Sequence, residues 1–121
     1  MNPISKLFIT LFLIVPVVVT FAQTDDQVYD FFTVDEKPVI VTDAQAVYPQ
    51  GAIDAGVEGT VVVKVVIDQN GNVASAEIFR SVPQLDNAAL QAARNKVFTP
   101  GKVAGNPVRT FMNIPIAFNL S

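Results

Sequence analysis

The sequence contains no cysteine, no histidine and no tryptophan. Without cysteine there can be no disulfide framework, thiolate metal site or cysteine nucleophile. Without histidine the chain lacks the commonest general base and the commonest transition-metal ligand. An enzyme built from this composition would depend on carboxylates, lysine or hydroxyl groups. We therefore predict a protein that is not an enzyme and has neither a cofactor nor a metal.

The acidic residues do not form a convincing catalytic or metal-binding set. Asp25-Asp26 and Asp35-Glu36 are neighbours in sequence, which is typical of solvated charge and not of an acid–base pair facing a substrate. The run from Asp68 to Gly71 begins like a calcium loop but lacks the later ligands and the glutamate of an EF-hand. Hairpin turn chemistry accounts for it fully.

The charge balance excludes two classes of partner. The chain has 8 Lys and Arg against 11 Asp and Glu, for a net charge of −3. An acidic protein is repelled by phosphate backbones and anionic lipid surfaces, so we expect neither nucleic acid nor an anionic membrane surface as a partner. The length of 121 residues predicts a single domain.

The first 22 residues have the pattern of an export signal. Lys6 precedes an apolar run from 7 to 21, and the small Ala22 is followed by a polar stretch. We predict a signal peptide over residues 1–22, cleaved after Ala22. The alternative is an inner-membrane anchor over residues 7–22, the only case in which we expect membrane contact. A run of about 15 apolar residues is short for a spanning helix, which needs about 20.

Residues 23–37, here called the arm, combine acidic and aromatic side chains. Val28, Tyr29, Phe31 and Phe32 lie among five carboxylates. The arm is either a solvated, mobile terminus or an extended segment that docks its aromatic side chains on the domain or on a partner. The remaining residues, 38–121, form the predicted domain, and Val39-Ile40-Val41 at its start suits a short strand or an extended lead-in.

A hairpin is the strongest local signal in that domain. The β-branched run from Val61 to Ile67 favours a strand, and only Lys64 interrupts it. Asn70-Gly71 is a strong hairpin turn signal because both residues tolerate positive φ. A second strand follows as far as Arg80. Such a hairpin needs a cover for its valine face.

Two helices can supply that cover. Tyr48-Pro49 opens a short helix, because proline is tolerated in the first helical turn. An amphipathic helix is predicted over residues 85–97, with Asp86 as the N-cap and its apolar residues about four apart. Lys96 near its end suits the helix dipole. These elements predict an α+β fold.

The last segment, residues 108–120, alternates strictly between two sets of side chains. Apolar residues and Thr110 occupy one parity, whereas Arg109, Phe111, Asn113 and Pro115 fall on the other. Period-2 alternation predicts a long strand with one dry face. Pro115 has no N–H group and is acceptable only on an edge strand or at a bulge. We therefore place this strand at the edge of the sheet, with Phe111 either under a loop or acting as an interface anchor.

Together, these elements resemble the C-terminal domain of the TonB family of periplasmic energy transducers. The resemblance rests on motifs in family order over roughly residues 48–120: Tyr48-Pro49, Ala55-Gly56-Val57-Glu58-Gly59-Thr60, Asp68-Gln69-Asn70-Gly71, Leu85-Asp86-Asn87-Ala88, Phe98-Thr99-Pro100, Gly105-Asn106-Pro107-Val108 and Pro115-Ile116-Ala117-Phe118. It implies a three-stranded antiparallel sheet with two short helices packed on one face.

The resemblance also implies a function in the periplasm of a Gram-negative bacterium. Family members bind an extended segment, the TonB box, of outer-membrane receptors by adding it as a strand to the last strand. This mode of recognition is β-augmentation. In this chain the implied partner-binding residues are Arg109, Thr110, Phe111, Met112, Asn113, Ile114, Ala117 and Asn119. The alternative is a structural protein that forms a homodimer through the same edge.

Overall fold

The computed structural model describes residues 27–121. Its elements are β1 (Val28–Asp30), β2 (Ile40–Thr42), α1 (Gln50–Asp54), β3 (Gly59–Ile67), β4 (Val73–Arg80), α2 (Asp86–Arg94), β5 (Val97–Phe98), β6 (Gly101–Val103) and β7 (Asn106–Phe118). The predicted signal peptide or anchor lies outside the described residues. None of the helices between residues 27 and 121 is long and apolar enough to cross a membrane.

The fold is α+β, as predicted, but the sheet is larger than the three antiparallel strands expected. Five strands form the main sheet, in the order β1-β7-β3-β4 with β6 also paired to β7, and a separate two-stranded sheet joins β2 to β5. The central strands β7, β3 and β4 are antiparallel. The sheet as a whole is mixed because β1 runs parallel to β7.

The valine run forms β3 and places one complete set of side chains in the core. Val61, Val63, Val65 and Ile67 are fully buried, whereas Lys64 is half-buried on the other face. The side-chain period of a strand is two, so β3 presents one dry face and one wetter face. On β7 the buried residues are even-numbered, in line with the predicted alternation: Val108, Thr110, Ile114, Ile116 and Phe118.

Both helices pack on the dry face of the sheet. Ala52 of α1 and Ala89 and Ala93 of α2 join Leu85 in the cluster of buried side chains. Alanine brings a helix close to a sheet because it adds little side-chain volume. The predicted second helix was too long, since α2 ends at Arg94 and the chain re-enters a sheet at β5.

The predicted role of Asp86 as N-cap is also corrected. The N-cap position belongs to Leu85, which makes no side-chain capping hydrogen bond. The carboxylate of Asp86 instead accepts hydrogen bonds from the backbone N–H of Val82, at 2.9 Å, and from the hydroxyl of Ser81, at 2.5 Å. It therefore stabilises the connection that leads into α2.

The turn between β3 and β4 is held by Asp68. Its Oδ1 atom accepts hydrogen bonds from the backbone N–H groups of Asn70 at 2.9 Å and Asn72 at 3.0 Å. Such an Asx arrangement satisfies the backbone donors of a tight turn. The turn then packs on β5, where the N–H of Phe98 donates to the carbonyl of Gly71 at 2.8 Å.

Candidate binding edge on the last strand

The main chain of β7 offers its hydrogen-bonding groups to two opposite sides. In a strand the N–H and C=O groups of one residue point to the same side, and the side alternates from residue to residue. The carbonyl of Phe111 accepts a hydrogen bond from the N–H of Phe31, at 3.1 Å, on the side away from β3. The odd-numbered residues of this strand therefore direct their main-chain groups outward, and the even-numbered ones pair with β3 and β6.

The arm covers the first part of this outward side. Residues Val28 to Asp30 pair in parallel with Arg109 to Phe111, and the chain then turns away at Thr33. The prediction that the last strand lies at an edge is therefore wrong for Arg109 to Phe111, which lies between β3 and β1. From Met112 to Phe118, no strand among residues 27–121 pairs with the outward side. We call this stretch the open edge.

Pro115 interrupts the donors of the open edge. Asn113 and Ala117 each direct an N–H and a C=O group outward, whereas Pro115 directs a C=O group only. The position costs β7 no bond to β3, because an odd-numbered residue does not donate inward. Proline on an edge strand removes one group from the template that an incoming strand would use. The open edge thus has three acceptors and two donors.

An aromatic pocket lies where the arm leaves β7. It has a volume of about 320 Å³ and is lined by Asp30, Phe31, Phe32, Phe111, Met112 and Asn113. The rings of Phe31 and Phe32 meet edge to face with their centroids 5.3 Å apart. Phe32 is 79% exposed, which is unusual for so large an apolar side chain.

Two lysines lie against the rings of this pocket. The ammonium of Lys64 is 4.9 Å from the ring centroid of Phe111, and that of Lys37 is 5.7 Å from the centroid of Phe31. Both distances are typical of cation–π contacts, each worth about 0.5–1 kcal/mol at exposed sites. The Phe111 ring is half-buried on the wetter face of the sheet, and it shares this pocket with Phe31 and Phe32 of the arm.

Two further depressions lie along the open edge, and Lys96 lies between them. The first has a volume of about 380 Å³ and is lined mainly by apolar residues, namely Phe31, Pro38, Ile40, Phe98, Met112, Ile114 and Pro115. The second has a volume of about 290 Å³ and is lined by the segment 43–48 and residues 115–119. Both contain Asp43 and Lys96. The Lys96 ammonium donates to the Asp43 carboxylate at 2.5 Å and to the carbonyl of Ala44 at 3.0 Å.

That ion pair fixes the segment around Asp43, which lines both of these depressions. The Lys96 side chain is 9% exposed and that of Asp43 is 51% exposed. A buried ammonium needs such partners because its charge would otherwise lose solvation without compensation. Nearby, the hydroxyl of Tyr48 donates to the carbonyl of Val57, and burial together with the carboxylate of Glu58 raises the pKa of Tyr48 above its usual value.

The eight residues expected to bind a partner occupy three different environments. Arg109, Thr110 and Phe111 are paired with β1 of the arm, and Thr110 is also fully buried. Ile114 is buried and Met112 half-buried, so their side chains face the core. Asn113, Ala117 and Asn119 are exposed along or just beyond the open edge.

Four residues of the site were not selected from the sequence. Phe31 and Phe32 were recognised as aromatic residues in an acidic arm, but nothing local showed where they dock. Lys96 was assigned to the dipole of α2, and Asp43 was not singled out. The one available hint of its burial was that Lys96 follows Ala92 and Ala93 by about one helical turn and directly precedes Val97.

Comparisons with known proteins agree on one family. The family described as Gram-negative bacterial TonB protein C-terminal matches residues 44–120. Protein TonB of Vibrio cholerae serotype O1 is 34% identical over 89 residues, which cover 72% of this chain and 36% of that protein. Protein TonB of Xanthomonas campestris pv. campestris is 37% identical over 76 residues, which cover 61% of this chain and 34% of that protein.

A solved structure supports the fold. The solution NMR structure of the Pseudomonas aeruginosa TonB CTD superposes with a TM-score of 0.53 at 24% identity, covering 69% of this chain and 89% of that one. The chain spans about a third of the length of the TonB proteins it matches. From the match over residues 44–120 and these relatives, the chain belongs to the TonB family and carries its C-terminal domain.

Proposed function

We propose that this chain is a TonB-like binding module of the Gram-negative periplasm. It contacts extended segments of outer-membrane receptors, such as the TonB box, and is linked in this way to energy-dependent transport across the outer membrane. Binding takes place by strand addition along the open edge. The observation that carries the proposal is that the outward main-chain groups of Asn113, Pro115 and Ala117 have no strand partner among residues 27–121.

The open edge can supply moderate affinity. An incoming strand can accept from two N–H groups and donate to three carbonyls, and each such bond adds about 0.5–1.5 kcal/mol net. The three depressions along the edge accept side chains of the incoming strand, which alternate between its two faces. Affinity therefore comes from the main chain, and selectivity comes from the pockets.

The test uses proline to remove single edge donors. Asn113→Pro deletes an outward N–H group without removing a bond to β3. Synthetic peptides from the N-terminal segments of the TonB-dependent receptors of the same genome serve as probes, in calorimetry and in NMR titration. We expect Asn113→Pro to weaken binding about tenfold, because one bond is lost and the ring obstructs its neighbour. Ala117→Pro should act in the same way.

The matched control lies on the opposite edge of the sheet. Ala76 of β4 faces Val65, whose main chain pairs with β7, so the N–H of Ala76 also points out of the sheet. Ala76→Pro should therefore leave peptide binding unchanged. Equal peptide affinity for Asn113→Pro and Ala76→Pro would reject the proposed edge. Sedimentation run in parallel identifies the alternative, since a homodimer that occupies the edge would dissociate on dilution.

A further inference from the structure

The part of the β7 edge next to the open edge already has a strand bound to it, and that strand comes from the chain itself. β1 pairs in parallel with Arg109 to Phe111, and the N–H of Phe31 adds a bond to the carbonyl of Phe111. We propose that residues 28–31 of the arm are a displaceable internal strand, which competes with the partner segment for this edge. The inference rests on the proposed function and concerns its regulation.

The arm is held firmly only beyond its turn. Val34 is 4% exposed, and the N–H groups of Asp35 and Glu36 donate to the carbonyl of Lys102 at 2.9 and 3.2 Å. The N–H of Lys102 donates back to Glu36 at 2.9 Å, and the Asp35 carboxylate accepts from the N–H of Ala104 at 2.7 Å. This anchor ties the arm to the β6–β7 hairpin.

The β1 strand is held far more weakly. It has three residues, none of them fully buried, and Val28 is 38% exposed. Between β1 and the anchor, the chain reverses in a tight turn in which the Asp30 carbonyl accepts from both the N–H and the hydroxyl of Thr33, each at 2.9 Å. Residues 28–31 can therefore leave the edge while the anchor stays in place.

The tether makes even such weak pairing effective. An occupant joined through a short turn rebinds at a local concentration in the millimolar range. A partner that extends over Phe111 finds the edge free only in the fraction of molecules whose arm is open, so its apparent dissociation constant rises by the inverse of that fraction. Phe31 and Phe32 leave the aromatic pocket in the same step, which exposes the Phe111 ring to the incoming side chain.

Two proline variants of the arm test the competition. By the alternation of a parallel pair, Tyr29 and Phe31 direct their N–H groups at β7 and Val28 does not. Tyr29→Pro should therefore open the arm and tighten binding of the receptor peptides about 3- to 30-fold. This factor corresponds to the loss of about two hydrogen bonds between β1 and β7, which no longer compete with the peptide. Val28→Pro is the control, a proline in the same strand. It should change the peptide affinity less than twofold, because it removes no hydrogen bond to β7.

Amide hydrogen exchange tests the docked arm without any peptide. By the same alternation, the N–H of Phe111 donates to the carbonyl of Tyr29. The N–H of Asn113 has no strand partner among residues 27–121. In the unmodified protein Phe111 should exchange much more slowly than Asn113, and in Tyr29→Pro the two rates should converge. Equal rates in the unmodified protein would overturn the inference and leave the proposed function intact.

The remaining outcomes separate the two ideas. If Phe111 is protected but Tyr29→Pro binds the peptides no better than the unmodified protein, the partner lies beside β1 and the competition is refuted. If no receptor peptide binds any variant while Phe111 is protected as expected, the proposed function fails and the competition fails with it, although the arm still docks. Faster exchange at Phe111 with tighter peptide binding supports both.

Discussion

Replacing Gly71 by alanine should be one of the most damaging small changes in this domain. Gly71 has a φ of +88°, in the left-handed region that alanine adopts at a cost of about 1 kcal/mol. A Cβ atom built there would lie 1.8 Å from the carbonyl oxygen of Phe98 and 2.9 Å from its carbonyl carbon. The obstacle is backbone, so the β3–β4 turn and β5 must move apart.

The magnitude follows from what that separation breaks. The hydrogen bond from the N–H of Phe98 to the Gly71 carbonyl is lost or lengthened, and so is the bridge between Asn72 and Val97. With about 1 kcal/mol for each bond and about 1 kcal/mol for the φ, we expect the free energy of unfolding to fall by about 2–4 kcal/mol. Partner binding should weaken as well, because Phe98 lines one depression of the open edge.

Two other glycines serve as controls that separate the steric clash of the Cβ atom from the conformational cost of a positive φ. Gly105 has a φ of +80° but nothing within 4 Å of a built Cβ, so Gly105→Ala should cost only the conformational term of about 1 kcal/mol. Gly51 lies in α1 with open space around it, and Gly51→Ala should stabilise by about 0.5–1 kcal/mol. Urea unfolding followed by circular dichroism measures all three variants. A loss for Gly71→Ala no larger than that for Gly105→Ala would refute the steric argument.

Three further changes have clear expected outcomes. Tyr48→Phe should lower the free energy of unfolding in urea at neutral pH, because the Val57 carbonyl loses its donor. Because the pKa of Tyr48 is raised in the folded state, the contribution of its hydroxyl to the free energy of unfolding is complete below about pH 10 and is lost as the pH rises through the folded-state pKa. The stability of Tyr48→Phe should therefore depend less on pH in the alkaline range than that of the unmodified protein. Lys96→Met should speed amide exchange at the segment around Asp43 while changing global stability by less than about 1.5 kcal/mol. Leu85→Ala, at a fully buried position, should cost about 2–5 kcal/mol in thermal or urea unfolding.

The elements that could be predicted from the sequence are those with a local signal. The valine run and the alternation around Pro115 predict two strands and the face each one buries, because the side-chain period of a strand is fixed at two. Asn70-Gly71 marks the turn between β3 and β4. These features, with the alanine-rich α2, also carry the family resemblance that residues 44–120 confirm.

The elements that could not be predicted depend on contacts between distant parts of the chain. The pairing of Tyr29 with Thr110 joins segments at opposite ends of the described chain, and neither segment encodes it. Strands of three residues, such as β6, are too short to show a period. Lys96 lies just past the end of α2, where a cation also suits the helix dipole, so its burial against Asp43 had no separate signature.

Pro115 bears on which kind of strand the open edge can accept. A receptor segment laid along the edge finds one missing donor, whereas two copies of this chain paired edge to edge would each bring a proline, so at least two bonds would be absent. The difference disfavours a homodimer by about 1 kcal/mol relative to a receptor segment.

Pro115→Ala tests this reasoning, because it restores the N–H group at an exposed position opposite Val62 without altering the pairing with β3. We expect the variant to bind receptor peptides about 2- to 10-fold more tightly, and to self-associate at lower concentration in sedimentation experiments, since each new dimer gains two donors. An unchanged peptide affinity together with unchanged sedimentation would show that the outward side of Pro115 is not where strands are added.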